Sequence, residues 1–490
     1  MSLRFYVLYL HMIQMTAYHV WISAGFIVAY FAIILSCIVV VLSENRNPIR
    51  SLAWTIALLA LPFIGLIFYL FFGRSMKGIH MISRRSKRKL LHNRKTPQID
   101  LERLDYTAEE CQLVKMIYSL TKSPLTLNNR VRIFTEGEDK FDWLRRDLES
   151  ARESIYLQYY IFSDDETGRG IADILKRKAA EGVEVMVIYD HVGSLKSKNA
   201  FFADMERAGV KIHPFFRVNF RHMANRINWR NHRKIVVVDN RVGYIGGMNI
   251  ADRYVKATKR GEAWRDTHFR VEGDIVGSLI FSFAVDWHFV RSQEPLPALE
   301  CREPRFRNNT GMQLIVDGPA DAWDSMALCF LKAISAARRC IYIQTPYFLP
   351  TDALLHALEA AAHAKVDVRV MLPAASDSRL LQYASFSYVT QCLRSGIKVY
   401  LYERGMLHSK TMVIDDTLVT SGSTNFDFRS FENNFECNLM FYDREINRQM
   451  REIFFEDIKQ CRKLTASAWR KRPLLQRTLE SLVRLVAPIL

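Results

Sequence analysis

The sequence has no closely paired cysteines. Its eight cysteines are scattered along the chain, and none of them forms a C-x-x-C pair. This spacing indicates buried thiols in a reducing compartment, and it argues against both a disulfide framework and a structural zinc site. We therefore expect no structural metal.

Two stretches near the N-terminus have no charged residue. They cover residues 20–42 and 51–72, which are 23 and 22 residues long. Each exceeds the roughly 20 residues that are needed to cross a bilayer core. We predict two transmembrane helices joined by a short loop, together forming a membrane anchor over residues 1–73. Residues 1–19 are either an interfacial helix or an upstream extension of the first span.

Acidic residues are missing from residues 74–95, which contain nine lysines and arginines. By the positive-inside rule, the chain after residue 74 is predicted to lie in the cytoplasm. The net charge of the whole chain is +17, and a strongly basic chain usually meets nucleic acid or an anionic membrane. Because the basic linker (residues 74–110) directly follows a span, anionic lipid headgroups are favoured.

One pattern, H-x-K-x4-D-x6-G-[GS]-x-N, occurs twice with identical spacing. Its first copy comprises His232, Lys234, Asp239, Gly246, Gly247 and Asn249, and its second comprises His408, Lys410, Asp415, Gly422, Ser423 and Asn425. Two copies in one chain indicate an internal repeat and an active site that is shared between its halves.

The segments around the two copies also match. The strand-like run 154–160 corresponds to 340–347, and the buried run 183–189 corresponds to 366–372. A helical segment separates the two runs in each half. This alternation predicts an α/β fold with a mainly parallel sheet that is covered by helices on both faces.

We therefore predict two tandem domains that face each other about a pseudo-two-fold axis, residues 111–300 and 301–465. An amphipathic tail follows at residues 466–490, in which Leu475, Leu479, Leu482 and Val486 form one apolar face. This tail either packs on the catalytic domains or lies on the membrane.

An extra segment of the first half, residues 215–230, interleaves arginines with Phe216, Phe220 and Trp229. Such a rim suits a phospholipid interface and also suits single-stranded nucleic acid. An ordinary surface loop is the plainer interpretation.

The duplicated residues suit a tetrahedral anion. Histidine and lysine two positions apart on a strand project in the same direction, and the glycines let the backbone approach a ligand. Asn249 and Asn425 offer amide donors to an oxyanion. Because two facing half-sites supply two ammonium groups and several donors, we expect neither a metal nor another cofactor.

Each histidine also needs a carboxylate that fixes its tautomer. Asp266 lies 34 residues after His232, and Glu436 lies 28 residues after His408. We assign Asp266 to His232 and Glu436 to His408. Asp239 and Asp415 belong to the predicted catalytic set, although a role in holding the strand-to-turn geometry suits them better.

The motifs resemble the signature of the phospholipase D superfamily. Over almost its full length the chain is similar to the membrane-anchored bacterial cardiolipin synthases of that superfamily. The resemblance extends to residues 44–48, 231–234, 264–268 and 345–348. It implies an inner-membrane enzyme with cytoplasmic catalytic domains, acting on phosphatidylglycerol and other anionic lipids, with no nucleic-acid partner.

The resemblance also implies a mechanism. By family precedent, His232 attacks the phosphorus of phosphatidylglycerol, and His408 protonates the leaving glycerol. A second phosphatidylglycerol then takes the phosphatidyl group from the histidine and becomes cardiolipin. The symmetry of the sequence leaves the reverse assignment of the two histidines open.

Two other activities fit the same motifs. One is a phospholipase D or transphosphatidylase that uses water or another alcohol as the acceptor. The other is a membrane-tethered nuclease, for which the basic segments would bind DNA with a steep salt dependence. The oligomeric state is not predicted.

Overall fold

The computed structural model describes residues 2–43, 48–61, 63–73, 99–218, 228–259, 261–291, 293–302 and 306–487. Among these, residues 2–73 belong to one compact unit, and residues 99–218 and 229–487 belong to another. Residues 74–98 of the predicted basic linker lie outside the described residues, as do residues 219–227 of the predicted arginine–aromatic segment.

The N-terminal unit consists of one long helix and a shorter, interrupted helical segment. Helix α1 runs without a break over Ser2–Ser43, so residues 2–19 continue the predicted first span upstream. Within α1, residues 11–42 are long and apolar enough to cross a bilayer. In the described part of the chain, no other helix meets both criteria.

The predicted second span is interrupted, so two continuous membrane-crossing helices are not confirmed. Helix α2 (Pro48–Ala60) has 13 residues and therefore rises only about 20 Å. At Phe63 the backbone φ is 60°, and the short helix α3 (Ile64–Phe68) begins after it. The sequence has a proline at position 62, and proline cannot supply the amide hydrogen that an α-helix requires.

The second unit contains twelve α-helices, two short 3-10 helices (Leu101–Arg103 and Asp252–Tyr254) and eighteen strands among its described residues. The helices are α4 (Ala108–Thr121), α5 (Gly137–Ser150), α6 (Glu166–Ala180), α7 (Asn199–Arg207), α8 (Ile275–Val290), α9 (Ser325–Ala336), α10 (Asp352–His363), α11 (Arg379–Arg394), α12 (Phe428–Glu432), α13 (Arg444–Ile458), α14 (Ala466–Arg470) and α15 (Leu474–Val486). The first-half strands are β1 (Asn129–Phe134), β2 (Ser154–Tyr159), β3 (Glu184–Asp190), β4 (Lys211–Phe215), β5 (Arg230–Asn231), β6 (Ile235–Val238), β7 (Val242–Gly246) and β8 (His268–Gly273). The second-half strands are β9 (Gly311–Asp317), β10 (Cys340–Gln344), β11 (Phe348–Leu349), β12 (Asp367–Pro373), β13 (Lys398–Tyr402), β14 (Thr411–Ile414), β15 (Leu418–Gly422), β16 (Phe426–Asp427), β17 (Asn434–Tyr442) and β18 (Cys461–Lys463).

The two halves have the same sheet topology, as the internal repeat predicts. The first sheet has the order β1-β8-β7-β6-β2-β3-β4. In the second sheet, the run β9-β17-β15-β14-β10-β12-β13 repeats this order, and β18 is added at the edge. Each half is therefore an α/β layer built on one plan.

The prediction of a mainly parallel sheet is wrong. In the first half β2 pairs in parallel with β3, and β3 with β4. The other four pairings of that sheet are antiparallel. The physical reason is a tight turn after β6: Asp239 and Asn240 have φ values of 48° and 52°, and only residues 239–241 separate the paired residues Val238 and Val242. A hairpin returns the chain antiparallel to itself.

Three hydrophobic clusters hold the second unit together. One lies on the outer side of the first sheet and one on the outer side of the second. The third is shared, because it joins Phe283 and Trp287 of α8 to Phe441 and Phe454 of the second half. Helix α4, most of which falls within the predicted first domain, packs in the cluster of the second half through Leu113, among other residues.

The ends of the predicted arginine–aromatic segment do not form an exposed rim. Phe216 and Trp229 are buried in the shared cluster. Arg230 is also buried, with its guanidinium 3.4 Å from a carboxylate oxygen of Asp190. These aromatic side chains therefore contribute to the core, while Arg217 is exposed.

Candidate active site

The two H-x-K segments come together because each one pairs with a strand of the other half. Strand β5 lies parallel to the beginning of β17, with Asn231 opposite Phe435. The amide of His232 donates a hydrogen bond to the carbonyl of Phe435 at 2.9 Å. On the other side, the amide of His408 donates to the carbonyl of Arg265 at 2.7 Å. His232 is thereby fixed next to Glu436, the residue after Phe435. His408 is likewise fixed next to Asp266, the residue after Arg265.

His232 is oriented by Glu436. Its Nδ1 lies 3.0 and 3.1 Å from the two carboxylate oxygens of Glu436. That carboxylate also accepts hydrogen bonds from Ser423 Oγ and from Asn434 Nδ2. Since Nδ1 faces an acceptor, the tautomer with hydrogen on Nδ1 is favoured, and the lone pair is left on Nε2.

His408 is oriented by Asp266. Its Nδ1 lies 2.6 Å from Oδ2 of Asp266 and 2.8 Å from Nζ of Lys410. The hydroxyl of Tyr254 is 3.3 Å from the same nitrogen. This imidazole therefore has a denser polar surrounding than His232.

The predicted assignment of carboxylates is wrong: Glu436 serves His232, and Asp266 serves His408. Short sequence separation suggested partners within each half. Across the interface, however, the exchanged pairs are brought together by the parallel pairing of β5 with β17 and by a parallel bridge between Arg265 and Leu407. The facing halves thus exchange their carboxylates.

Gly247 and Ser423 occupy equivalent positions, and each fits the carboxylate beside it. A Cβ on Gly247 would lie 2.2 Å from Oδ1 of Asp266, so any side chain there would displace the carboxylate. The hydroxyl of Ser423 instead donates to Glu436. Both positions therefore support the orienting carboxylates.

Two buried lysines supply positive charge. Lys234 donates a 2.6 Å hydrogen bond from Nζ to the carbonyl of His232, and Lys410 donates to the carbonyl of His408. Burial lowers the pKa of Lys234 to about 7, with Glu436 opposing and Lys410 reinforcing the shift. Burial likewise lowers the pKa of Lys410 to about 8, against Asp266 and Glu436. The two ammonium groups interact electrostatically, as a site for one shared anion requires.

Burial also sets the protonation of the histidines. It lowers the pKa of His232 to about 4, against the opposing carboxylate of Glu436. Burial and the neighbouring Lys410 lower the pKa of His408 well below its ordinary value. Both imidazoles are therefore neutral at pH 7 in the free protein.

The two carboxylates differ in their pKa values, although both are buried. Burial raises the pKa of Asp266 to about 6, in spite of Lys410. For Glu436, burial acts in the same direction, but His232 and Lys234 outweigh it, so its pKa is lowered. Glu436 is therefore the more firmly ionised of the two.

Both asparagines of the motif are buried, but Asn249 is already engaged. Its Oδ1 accepts from the amide of Ile161 at 3.1 Å, and its Nδ2 donates to the hydroxyl of Tyr254 at 3.0 Å. Asn425 is buried, and its Oδ1 has no hydrogen-bond partner among the described residues. One of the two Nδ2 hydrogens of Asn249 is thus already used within the protein and is not available to an oxyanion.

Asp239 and Asp415 lie outside the site, so their place in the predicted catalytic set is wrong. The carboxylate of Asp239 accepts hydrogen bonds from the amides of residues 152–154. Asp415 does the same for residues 338–340. Both stand at positive φ in the turn that follows the motif strand. Five residues of strand put them roughly 16 Å along the chain from the lysines.

Aromatic rings lie against both histidines, and of these only Trp264 falls in a stretch that carries the family resemblance. Tyr160 lies edge-on to His232, with ring centroids 4.9 Å apart. Trp264 lies against His408 at 5.1 Å, and Arg253 lies over Trp264 at 4.5 Å. These rings exclude water from two imidazoles that are 7% and 6% exposed.

Arg253 and Arg429 form a further pair that the duplicated pattern could have revealed. Each stands four residues after a motif asparagine. Burial raises the pKa of the Tyr160 hydroxyl, and both arginines oppose that rise; Tyr160 in turn lies beside His232. They add positive charge near the lysines and suit a second oxygen of a phosphodiester or a headgroup.

The chemical groups of the site are two buried imidazoles, each held by a carboxylate, two ammonium groups and two guanidinium groups. One neutral imidazole can attack phosphorus through Nε2, and the second can carry a proton. A tetrahedral anion between them would be neutralised by side chains of the protein itself.

Comparisons with known proteins agree with this geometry. The family model described as "Cardiolipin synthase, PLD-like domain" matches residues 144–263 and 330–458. These two matches fall on the two halves of the catalytic unit. A second model, described as "Phospholipase_D-nuclease N-terminal", matches residues 30–74.

Curated relatives match along most of the chain. The major cardiolipin synthase ClsA of Bacillus subtilis (strain 168) is 37% identical over 467 residues, covering 93% of this chain and 97% of the relative. The cardiolipin synthase of Geobacillus thermodenitrificans (strain NG80-2) is 35% identical over 480 residues, covering 95% of each chain.

Among solved structures, the phosphatidylserine synthase of Haemophilus influenzae Rd KW20 has a similar fold. The TM-score is 0.58 at 14% sequence identity, with 77% of this chain and 100% of that chain covered. At this identity the likeness shows the fold alone.

Proposed function

Because the chain belongs to the cardiolipin synthases of the phospholipase D superfamily, we propose that it transfers a phosphatidyl group between two phosphatidylglycerol molecules. The products are cardiolipin and glycerol. One observation carries the proposal: each half supplies a buried histidine whose Nδ1 is bound by a carboxylate of the other half. Two such groups suit a double displacement at phosphorus.

In the first step, Nε2 of His232 attacks phosphorus, and the bond from phosphorus to the glycerol oxygen breaks. His408 gives its proton to that oxygen, so glycerol leaves as a neutral alcohol. Glu436 stabilises the positive charge that develops on the imidazole of His232. Lys234, Lys410 and the arginines hold the non-bridging oxygens.

In the second step, the free glycerol hydroxyl of another phosphatidylglycerol attacks the phosphorus of the phosphatidyl-histidine. Its proton passes to His408, and the bond from phosphorus to nitrogen breaks. This restores both histidines and releases cardiolipin. One phosphodiester replaces another, so the reaction consumes no nucleotide.

The protonation of His408 depends on the substrate. Its pKa is lowered by burial and by Lys410 in the free protein. A phosphodiester anion within about 4–6 Å favours the charged imidazolium and raises that pKa. Substrate binding thereby creates the acid that the first step needs at His408, while His232 attacks as the neutral imidazole that burial favours.

We further propose that the chain is a multi-pass protein of a bacterial inner membrane, with its catalytic unit in the cytoplasm. Helix α1 supports a membrane anchor by its length and composition. The excess of basic residues after residue 74 supports the cytoplasmic side. Reporter fusions after residues 45 and 100 test the topology: an extracytoplasmic signal from the first and a cytoplasmic one from the second is expected.

The activity is tested with the full-length protein in phosphatidylglycerol vesicles without nucleotide. We expect cardiolipin and glycerol in equal amounts, and no product from His232→Ala or His408→Ala. Phosphatidic acid without cardiolipin would identify a hydrolase that uses water as the acceptor. Absence of any lipid turnover would contradict both activities.

A further inference from the structure

The C-terminal helix α15 turns four of its leucines toward solvent, while Val483 packs against the core of the second half. Leu474, Leu475, Leu482 and Leu485 are 74%, 71%, 56% and 79% exposed. Glu480, by contrast, is 2% exposed. A helix that merely covers a soluble core has the reverse distribution, with leucines inside and charges outside. The four residues Leu474, Leu475, Leu482 and Leu485 are called the leucine face below.

The inner side of α15 is held by polar contacts. Arg472 makes a 2.8 Å ion pair with Glu480 and lies over the ring of Trp469 at 4.3 Å. Arg484 donates to the side chain of Gln391 on α11 at 3.0 Å and lies over Tyr388 at 4.3 Å. Because these contacts fix the rotation of the helix, the outward direction of the leucine face is set by the fold.

The surface next to the leucine face is basic. Arg470, Lys471 and Arg477 are exposed. Glu480 is the only acidic residue in the sequence from 470 to 487, and its charge is already matched by Arg472. An apolar face flanked by cations is the pattern of a helix that lies in the headgroup region of an anionic bilayer.

We propose that α15 is an interfacial helix that inserts the leucine face into the surface of an anionic phospholipid bilayer. It gives the catalytic unit a membrane contact of its own, through residues that are about 430 positions after α1 in the chain. The contact does not depend on the proposed reaction, because none of its residues belongs to the site.

A second copy of the chain fits the leucine face less well. Homo-oligomers most often pair through a two-fold axis, which places the same patch of each copy against itself. Such a contact over the leucine face would add the positive charges of Arg470, Lys471 and Arg477 from both copies to one interface. Repulsion between like charges opposes it, whereas anionic headgroups attract the same residues.

The test uses full-length protein in liposomes with a nitroxide spin label on Leu482→Cys. The matched control carries the label on Glu452→Cys, at an exposed position of α13. Unsubstituted protein, labelled identically, gives the contribution of the native cysteines. Collisions of the nitroxide are measured with oxygen, which concentrates in the bilayer, and with a water-soluble nickel chelate.

In vesicles that contain phosphatidylglycerol, the label at 482 is expected to collide several-fold more with oxygen than with nickel. The control label should show the opposite preference. Adding the substitutions Arg470→Glu and Lys471→Glu should shift the label at 482 toward nickel, as should vesicles of phosphatidylcholine alone. Thermal unfolding of each variant shows that it is folded, and turnover is not needed for the measurement.

Two results would overturn the proposal. One is free access of nickel to position 482 in anionic vesicles. The other is dipolar broadening at position 482 that disappears when labelled protein is mixed with unlabelled protein, because that would identify a second copy as the partner of the leucine face.

Discussion

The two half-sites of the catalytic unit share one strand order but surround their histidines differently. His232 faces both oxygens of Glu436, and Ser423 donates to the same carboxylate. His408 faces Asp266 and the amine of Lys410. In place of a serine, this half-site has Gly247, which leaves room for the shorter acid.

The difference teaches how a symmetric fold can carry out an asymmetric reaction. The pKa of Glu436 is lowered, whereas burial raises the pKa of Asp266 to about 6. A permanently ionised carboxylate suits the histidine that becomes a positively charged phosphohistidine. A carboxylate of higher pKa beside a lysine suits the histidine that exchanges protons in both steps.

The largest expected effect is the loss of activity when either histidine is replaced, and a second substrate distinguishes their roles. His232→Ala and His408→Ala should each lower cardiolipin formation by about 10⁴-fold or more. With a nitrophenyl ester of phosphatidic acid, the leaving group needs no proton, so His408→Ala should retain a burst of nitrophenolate. His232→Ala should give none. The reverse pattern, measured by stopped-flow absorbance, would exchange their roles.

The next effect tests the exchange of carboxylates between halves. Glu436→Gln should slow the nitrophenolate burst by about 10²- to 10⁴-fold, because the nucleophile loses its tautomer and its counter-charge. Asp266→Asn should leave the burst within a few-fold of normal and slow only the steady-state turnover. If Asp266→Asn slowed the burst instead, the contacts seen in the structure would not be those used in catalysis.

A smaller contrast is expected between Gly247 and Ser423. Gly247→Ala places a Cβ against the carboxylate of Asp266, so we expect kcat to fall about 100-fold as His408 loses its alignment. Ser423→Ala removes one hydrogen bond to a charged group, which corresponds to a fall of about 10-fold. Steady-state kinetics give kcat for both variants, and melting temperatures show whether they are folded. Equal losses of kcat in the two variants would contradict the prediction.

The smallest effect concerns pH. Folding lowers the pKa of Lys234 to about 7 and that of Lys410 to about 8, so the ammonium groups are lost as pH rises through this range. KM for phosphatidylglycerol should therefore rise about tenfold between pH 7 and pH 9. Lys410→Arg keeps its charge and should flatten the rise. A KM independent of pH would show that neither ammonium binds the phosphate.

Much of the architecture could be predicted from the chain alone. The strand at residues 154–160 and its copy at 340–347 contain β2 and β10, and the identical sheet order confirms the repeat. Periodicity and spacing are local properties, so they survive folding unchanged. The prediction of a mainly parallel sheet was wrong because hairpin turns, such as the one at Asp239, decide the direction of the next strand. Such turns leave a weaker signal in the sequence than the strands do.

Side-chain partnerships could not be predicted in the same way. Asp266 and Glu436 stand close in sequence to the histidines of their own halves, yet they bind the histidines 142 and 204 residues away. Asn249 has the right residue type for an oxyanion donor, but it is engaged by Ile161 and Tyr254. Such partners depend on which strand edges meet, and the meeting of edges is a property of the whole core.

The sequence by itself determined the duplicated H-x-K pattern, the apolar N-terminal run, the basic balance and the amphipathic tail. The tertiary structure decided which carboxylate serves which histidine, and that four leucines of the tail face outward. The physical reason is the same in both cases. Residue types and their spacing fix which interactions are possible, whereas packing of the two sheets around a shared core selects among them.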